Sequence, residues 1–153
     1  MKNLYRFFVA LALISSVAFM YAPVASAAKA NKSKKAYSLE GTDWRLSMLR
    51  TKIIKPTEGV EPVIFAINSD SDAVKATGFA GCNRYFGAVI KDTKNLWISD
   101  IGSTRMACTE ESMSVESTYL ELLAEVKTYK LKKDKLTLFN IEGQPILTFL
   151  AKE

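Results

Sequence analysis

The chain has 153 residues, 21 lysines and arginines against 16 aspartates and glutamates for a formal net charge of +5, two cysteines and no histidine. That length suits one domain with a real hydrophobic core and is short for two. Without an imidazole there is no Ser-His-Asp triad, no Cys-His pair, no histidine zinc ligand and no histidine proton shuttle, which removes most hydrolase and metalloprotein chemistries.

At the N-terminus, Lys2 and Arg6 precede an uncharged run from Phe7 to Ala22, and Ala25-Ser26-Ala27 sets small residues where a signal peptidase cleaves. The run has 16 residues, short of the ~20 that a spanning helix needs, so residues 1–27 are expected to be a secretory signal peptide and not a membrane anchor. Cleavage after Ala27 removes two basic residues and no acidic one, leaving 126 residues at net +3. No cysteine stands at that site to carry a lipid. The expected product is an exported chain without a lipid anchor, periplasmic or secreted.

Residues 28–38, with Lys29, Lys32, Lys34 and Lys35, read as a basic, flexible, solvated segment. The same four lysines suit a weak contact with an anionic surface, to which each contributes ~1 kcal/mol. Nucleic acid is not an expected partner, because the basic and aromatic residues share no stripe and export removes the chain from the cytoplasm.

From Glu40 the apolar residues mostly recur at period two, the mark of half-buried strands. Trp44, Leu46 and Met48 alternate with Asp43, Arg45 and Ser47; the run from Pro62 to Asn68 is apolar on both faces; Leu96 and Ile98 oppose Trp97 and Ser99. Between Thr109 and Val126 the period changes, with Tyr119, Leu120, Leu123 and Val126 on one helical face, Thr109 or Ser112 as N-cap, and Glu110 and Glu111 at the positive helix end. Glu116, Glu121 and Glu125 are explained as the helix's polar face, and no paired-carboxylate acid-base site is recognisable. Three alternating runs with short polar turns close the chain as an antiparallel meander, Pro145 opening the last. The expected fold is α+β: a strongly curved or barrel-like antiparallel sheet of about eight short strands, with one amphipathic helix inserted before the last three.

The segment from Gly78 to Gly87, GFAGCNRYFG, holds the first cysteine. Export and two cysteines without histidine favour a disulfide between Cys82 and Cys108. The alternative is a nucleophilic or redox thiol at Cys82 with its pKa lowered by Arg84 and Arg105. It has no CxxC motif and no imidazole base. Gly78, Gly81 and Gly87 fit bulges, positive φ or tight bends of a curved sheet, not a phosphate loop, since a strand and not a helix follows.

Taken together, Gly41-Thr-Asp-Trp-Arg-Leu46, the Gly-Cys-Asn-Arg-Tyr of Gly81 to Tyr85, the Ser-Thr-Arg-Met-Ala-Cys of Ser103 to Cys108, the acidic helix and the lysine-rich hairpin resemble the META domain family of HslJ-like, heat-shock-associated envelope proteins. The resemblance covers nearly all of Glu40 to Phe149, and the domain is expected over 39–153. It implies a small β-rich domain with one helix, exported to the bacterial envelope, with roles in stress or drug tolerance and no established reaction. Family members are often lipid-anchored, and here this chain departs from them.

The expectation is therefore a non-enzymatic exported protein, monomeric, without metal or cofactor, which binds an envelope protein or a small apolar ligand. Its recognition surface is placed at Asn83, Arg84, Tyr85 and Arg105, with a structural role around the bridge as the competing account for the arginines. The alternatives are a small enzyme or redox protein using Cys82 or an unrecognised carboxylate, and a protease inhibitor presenting a stapled loop.

Overall fold

The computed structural model describes residues 36–70 and 73–152; the expected signal peptide and the four lysines of the basic segment lie outside them. In chain order the elements are β1 (Trp44–Leu49), β2 (Lys52–Ile53), β3 (Ile64–Ser69), β4 (Val74–Phe79), β5 (Arg84–Lys91), β6 (Leu96–Ser103), α1 (Glu110–Ala124), β7 (Thr128–Lys132), β8 (Lys135–Phe139) and β9 (Pro145–Ala151). The strands pair antiparallel in the order β6-β5-β4-β3-β1-β9-β8-β7, and the two-residue β2 pairs with β1 alone. Eight strands on one path, with the helix before the last three, form the curled antiparallel half-barrel that the sequence predicts.

The two end strands meet at one corner. The Leu96 N–H donates to the Lys127 carbonyl at 3.0 Å and the Tyr129 N–H to the Lys94 carbonyl at 3.1 Å, around a single bridge between Asn95 and Thr128. Register breaks supply the curvature. Asp100, in a left-handed conformation with φ of 51°, and Ile101 together face the single Gly87 of β5, so β6 carries one extra residue there. A second break lies in β1 between Leu46 and Met48. There the expected alternation fails: Trp44 and Leu46 are buried as predicted, but Leu49 and not Met48 takes the next inward place. A bulge is invisible to a period-two count because it changes the phase without changing the residue types.

Elsewhere the pattern and the burial agree. Phe65, Ala66 and Ile67 of β3 are all buried, as an apolar run covered on both faces requires, and Leu96 and Ile98 point inward while Trp97 is exposed. The helix starts where its cap predicts, the Thr109 hydroxyl accepting from the Ser112 N–H at 3.3 Å with Glu110 and Glu111 in the first turn. Its buried face is Tyr119, Leu122 and Leu123, with Leu120 only half-buried. The sequence pattern puts Leu120 inward and omits Leu122; the buried stripe of Tyr119, Leu122, Leu123 and Val126 is turned toward Leu122, at i, i+3, i+4 and i+7. Tyr119 is the pivot: its ring lies 5.5 Å from that of Tyr85 and 6.4 Å from that of Phe149, both edge-on. Each buried large apolar side chain of this kind contributes ~1.5–3 kcal/mol.

Candidate functional site

The segment GFAGCNRYFG is a β-hairpin. The Ala80 N–H donates to the Asn83 carbonyl at 2.8 Å, so Gly81 and Cys82 are a two-residue loop between β4 and β5. Gly81 has φ of +114°, the positive value that the first position of such a loop favours. Gly78 is bare for a different reason. A Cβ built there would lie 1.9 Å from the carbonyl oxygen of Ile64, the same oxygen that accepts from the Tyr85 hydroxyl at 3.2 Å.

Cys82 and Cys108 are bonded, Cα to Cα 5.9 Å, which ties the hairpin tip to the chain entering α1. No cysteine is free. Asn83 adds a second clamp across the same junction. Its side-chain oxygen accepts from the Met106 N–H at 2.8 Å and the Thr104 hydroxyl at 2.9 Å; its amide donates to the Met106 carbonyl at 3.4 Å and to Glu116 Oε1 at 3.0 Å. Glu116 Oε2 accepts from the backbone N–H groups of Cys82 and Asn83. One helix carboxylate therefore satisfies the loop donors that the hairpin itself leaves unpaired. Glu116 is not simply part of a solvated face, and nothing in its helical spacing separates it from Glu121 and Glu125.

Beneath this junction the hydroxyls of Tyr85 and Tyr119 lie 2.7 Å apart, joining sheet to helix. Burial pushes both phenols well above their ordinary pKa. The four residues assigned to recognition are thus close in sequence and space but do not share a surface. Asn83 and Tyr85 are 5% and 2% exposed and face inward, whereas Arg84 and Arg105 are exposed. Arg84 approaches Glu61 at 3.8 Å as an exposed pair, of small energetic weight.

The open surface beside the hairpin is a groove of about 450 Å³ between the β2–β3 connection, Gly81 and the first turns of α1. Its wall is mainly apolar, with Leu46, Ile54, Val63 and Val115 within it, while Ile53 and Val60 are 65% and 56% exposed. Arg45, Lys52 and Lys55 bring positive charge to the lining, and Glu61 and Glu111 negative charge. Sequence reasoning missed this groove, since residues 52–63 carry no motif. Their one signal is a pair of apolar residues, Ile53 and Val60, in a segment rich in Pro, Gly and charge.

The META domain family model matches residues 37–153, the whole folded unit. The chain belongs to the META domain family. Among solved structures this META domain is similar to the NMR structure of a protein from Burkholderia xenovorans, with 30% identity, a TM-score of 0.59, and coverage of 74% of this chain and 83% of that one. A second NMR structure, at 22% identity and a TM-score of 0.56, covers 73% of this chain and 90% of that one and is a likeness of fold alone. No protein with a curated description matches. Among the described residues of the META domain no helix is long and apolar enough to cross a membrane, and no three acidic or cysteine side chains cluster as a metal site.

Proposed function

We propose that this META-domain protein is a non-enzymatic binding module of the bacterial envelope, exported by its N-terminal signal segment, that takes a small apolar ligand or an apolar partner segment in the groove beside the stapled hairpin. The observation that carries this reading is the 450 Å³ apolar groove on a rigid frame. Recognition sites of this kind are concave, largely preformed and mostly apolar with a few charged groups at the edge. Its frame is held by the disulfide and by Asn83 and Glu116, whose polar groups are used within the fold. The non-enzymatic part is supported by the lack of histidine in the chain and by both cysteines being bonded. Export is supported by the signal-like residues 1–27 and by the disulfide, a bond that persists in oxidising compartments. A role in stress or drug tolerance rests on the family likeness.

Titrating the nitrogen-labelled protein with anilinonaphthalene sulfonate, an apolar probe bearing one anionic group, tests the groove by NMR. Saturable shifts are expected at residues 52–63, Gly81 and Ser112, and Val115→Trp, which fills the groove, should weaken binding by about tenfold, or 1.4 kcal/mol. Absence of saturation, or shifts confined to the outer strand faces, overturns the assignment. Alkylation of the exported protein under denaturing, non-reducing conditions addresses the chemistry: no labelled cysteine is expected, and a stoichiometric reactive thiol would sink the non-enzymatic reading.

A further inference from the structure

The β7–β8 hairpin carries a charge that neither the fold nor the groove uses. Residues 127–135 hold five lysines and one aspartate, net +4, while the rest of residues 36–152 holds ten cations and fourteen carboxylates, net −4. Lys130, Lys132, Lys133 and Lys135 are all exposed, and none of them forms an ion pair with a carboxylate among the described residues. Lys132 and Lys135 are register partners, so two like charges stand directly opposite on one sheet face, an arrangement that costs stability. Lysines on an edge strand protect it from pairing with another chain, which explains Lys130 and Lys132 on β7. It does not explain Lys135, because β8 is interior, paired on both sides.

A second source of positive charge joins at the same end of the domain. The Ala151 N–H donates to the carbonyl of Asp134 in the hairpin turn at 2.8 Å, and the next residue, Lys152, lines a depression together with Ala36 and Tyr37.

We infer that the outer face of the β7–β8 hairpin docks the protein on an anionic phospholipid surface. The face is a sheet surface, and its cations are all lysine. Arginine's planar fork suits bidentate binding of an individual phosphate, whereas lysines are point charges that respond to a diffuse anionic field. The one aromatic on the outward positions of the two strands, Phe139, is half-buried and stands at the far end of the hairpin from Lys132 and Lys135, so the lysines are not interleaved with a row of stacking platforms as single-stranded nucleic acid would require. The inference is independent of the groove.

Co-sedimentation of residues 28–153, which contain the entire folded unit, with mixed phosphatidylglycerol–phosphatidylcholine vesicles tests it. Binding that is absent on pure phosphatidylcholine and falls with salt is expected. Near such a surface each lysine strengthens binding about fivefold, so Lys130→Gln, Lys132→Gln and Lys135→Gln together should weaken it about a hundredfold. A charge-matched control, Arg50→Gln, Lys75→Gln and Lys91→Gln, removes three cations that sit in exposed ion pairs elsewhere and should lose less than about a tenth of that factor. The idea is overturned by no binding to the anionic vesicles, by equal binding to neutral ones, by equal losses in the two triple variants, or by binding to soluble polyphosphate without binding to vesicles. Circular dichroism of the hairpin variant keeps a folding defect from passing as lost affinity.

Discussion

Asn83 shows how a residue type suited to recognition becomes a structural clamp. Its side chain has two donor and two acceptor positions, and all four are engaged, with Thr104, Met106 and Glu116. Asn83→Asp replaces the amide that donates to Glu116 with an acceptor, and faces one carboxylate with another. A loss of about 2–3 kcal/mol is expected in urea unfolding; a change below about 0.5 kcal/mol would show that the clamp does not matter. Gly78 is the sharpest steric constraint in the same hairpin. A Cβ there meets the Ile64 carbonyl at 1.9 Å, so Gly78→Ala must push β3 from β4 and should cost about 3 kcal/mol. By contrast, Gly59→Ala meets no atom within 4 Å, and its cost, about 1–2 kcal/mol, is that of placing a side chain at φ of +76°. The exposed Glu40 and Lys91 pair, in which the lysine holds the carboxyl below its ordinary pKa, belongs to the surface and adds little.

At the scale of elements, the staple and the clamp act on the same joint, between the β4–β5 hairpin and the start of α1. Cys82 and Cys108 are 26 residues apart, and for a loop of that size the chain-entropy model gives about 3.5 kcal/mol. The double variant Cys82→Ala, Cys108→Ala should lose about that much in denaturant unfolding, and reduction of the native protein should give the same loss. Since Asn83 and Glu116 still hold the joint, the reduced protein is expected to keep its fold at low temperature; complete unfolding without denaturant would show that the hydrogen bonds have no holding power alone. Arg84→Ala with Arg105→Ala tests the remaining part of the recognition assignment. Both side chains are exposed, so stability should change by less than about 0.5 kcal/mol, and any loss of partner binding in that variant belongs to recognition and not to folding.

The whole molecule is joined through two buried phenols, Tyr85 on the sheet and Tyr119 on the helix, their hydroxyls 2.7 Å apart. Burial raises both pKa values in the folded state. A raised pKa means that the native state keeps protons which the unfolded state loses, so this stability is fully present below ~pH 10, the unfolded value, and is lost as pH rises above it. Alkaline titration followed by phenolate absorbance and circular dichroism should show these two phenols ionising only together with unfolding, and Tyr85→Phe should halve that delayed amplitude. Ionisation of both tyrosines with secondary structure intact would contradict the burial.

What the amino-acid order determined by itself was whatever depends on local repetition and on redox chemistry. Period two gave the strands, the change of period at Thr109 gave the helix with its cap, and two cysteines behind a signal-like N-terminus, in a chain without histidine, gave the staple. These are legible because alternation and capping act within a few residues. The bulge in β1, the inward turn of Asn83 and Tyr85, the role of Glu116 as acceptor for a distant loop, and the groove below residues 52–63 were decided only by the tertiary structure. Each depends on which groups meet across large sequence separations once the sheet curls: Asn83 and Glu116 are 33 residues apart. Residue type reports what a side chain is able to bond, but its partner is set by the curvature and closure of the sheet, which no local pattern carries.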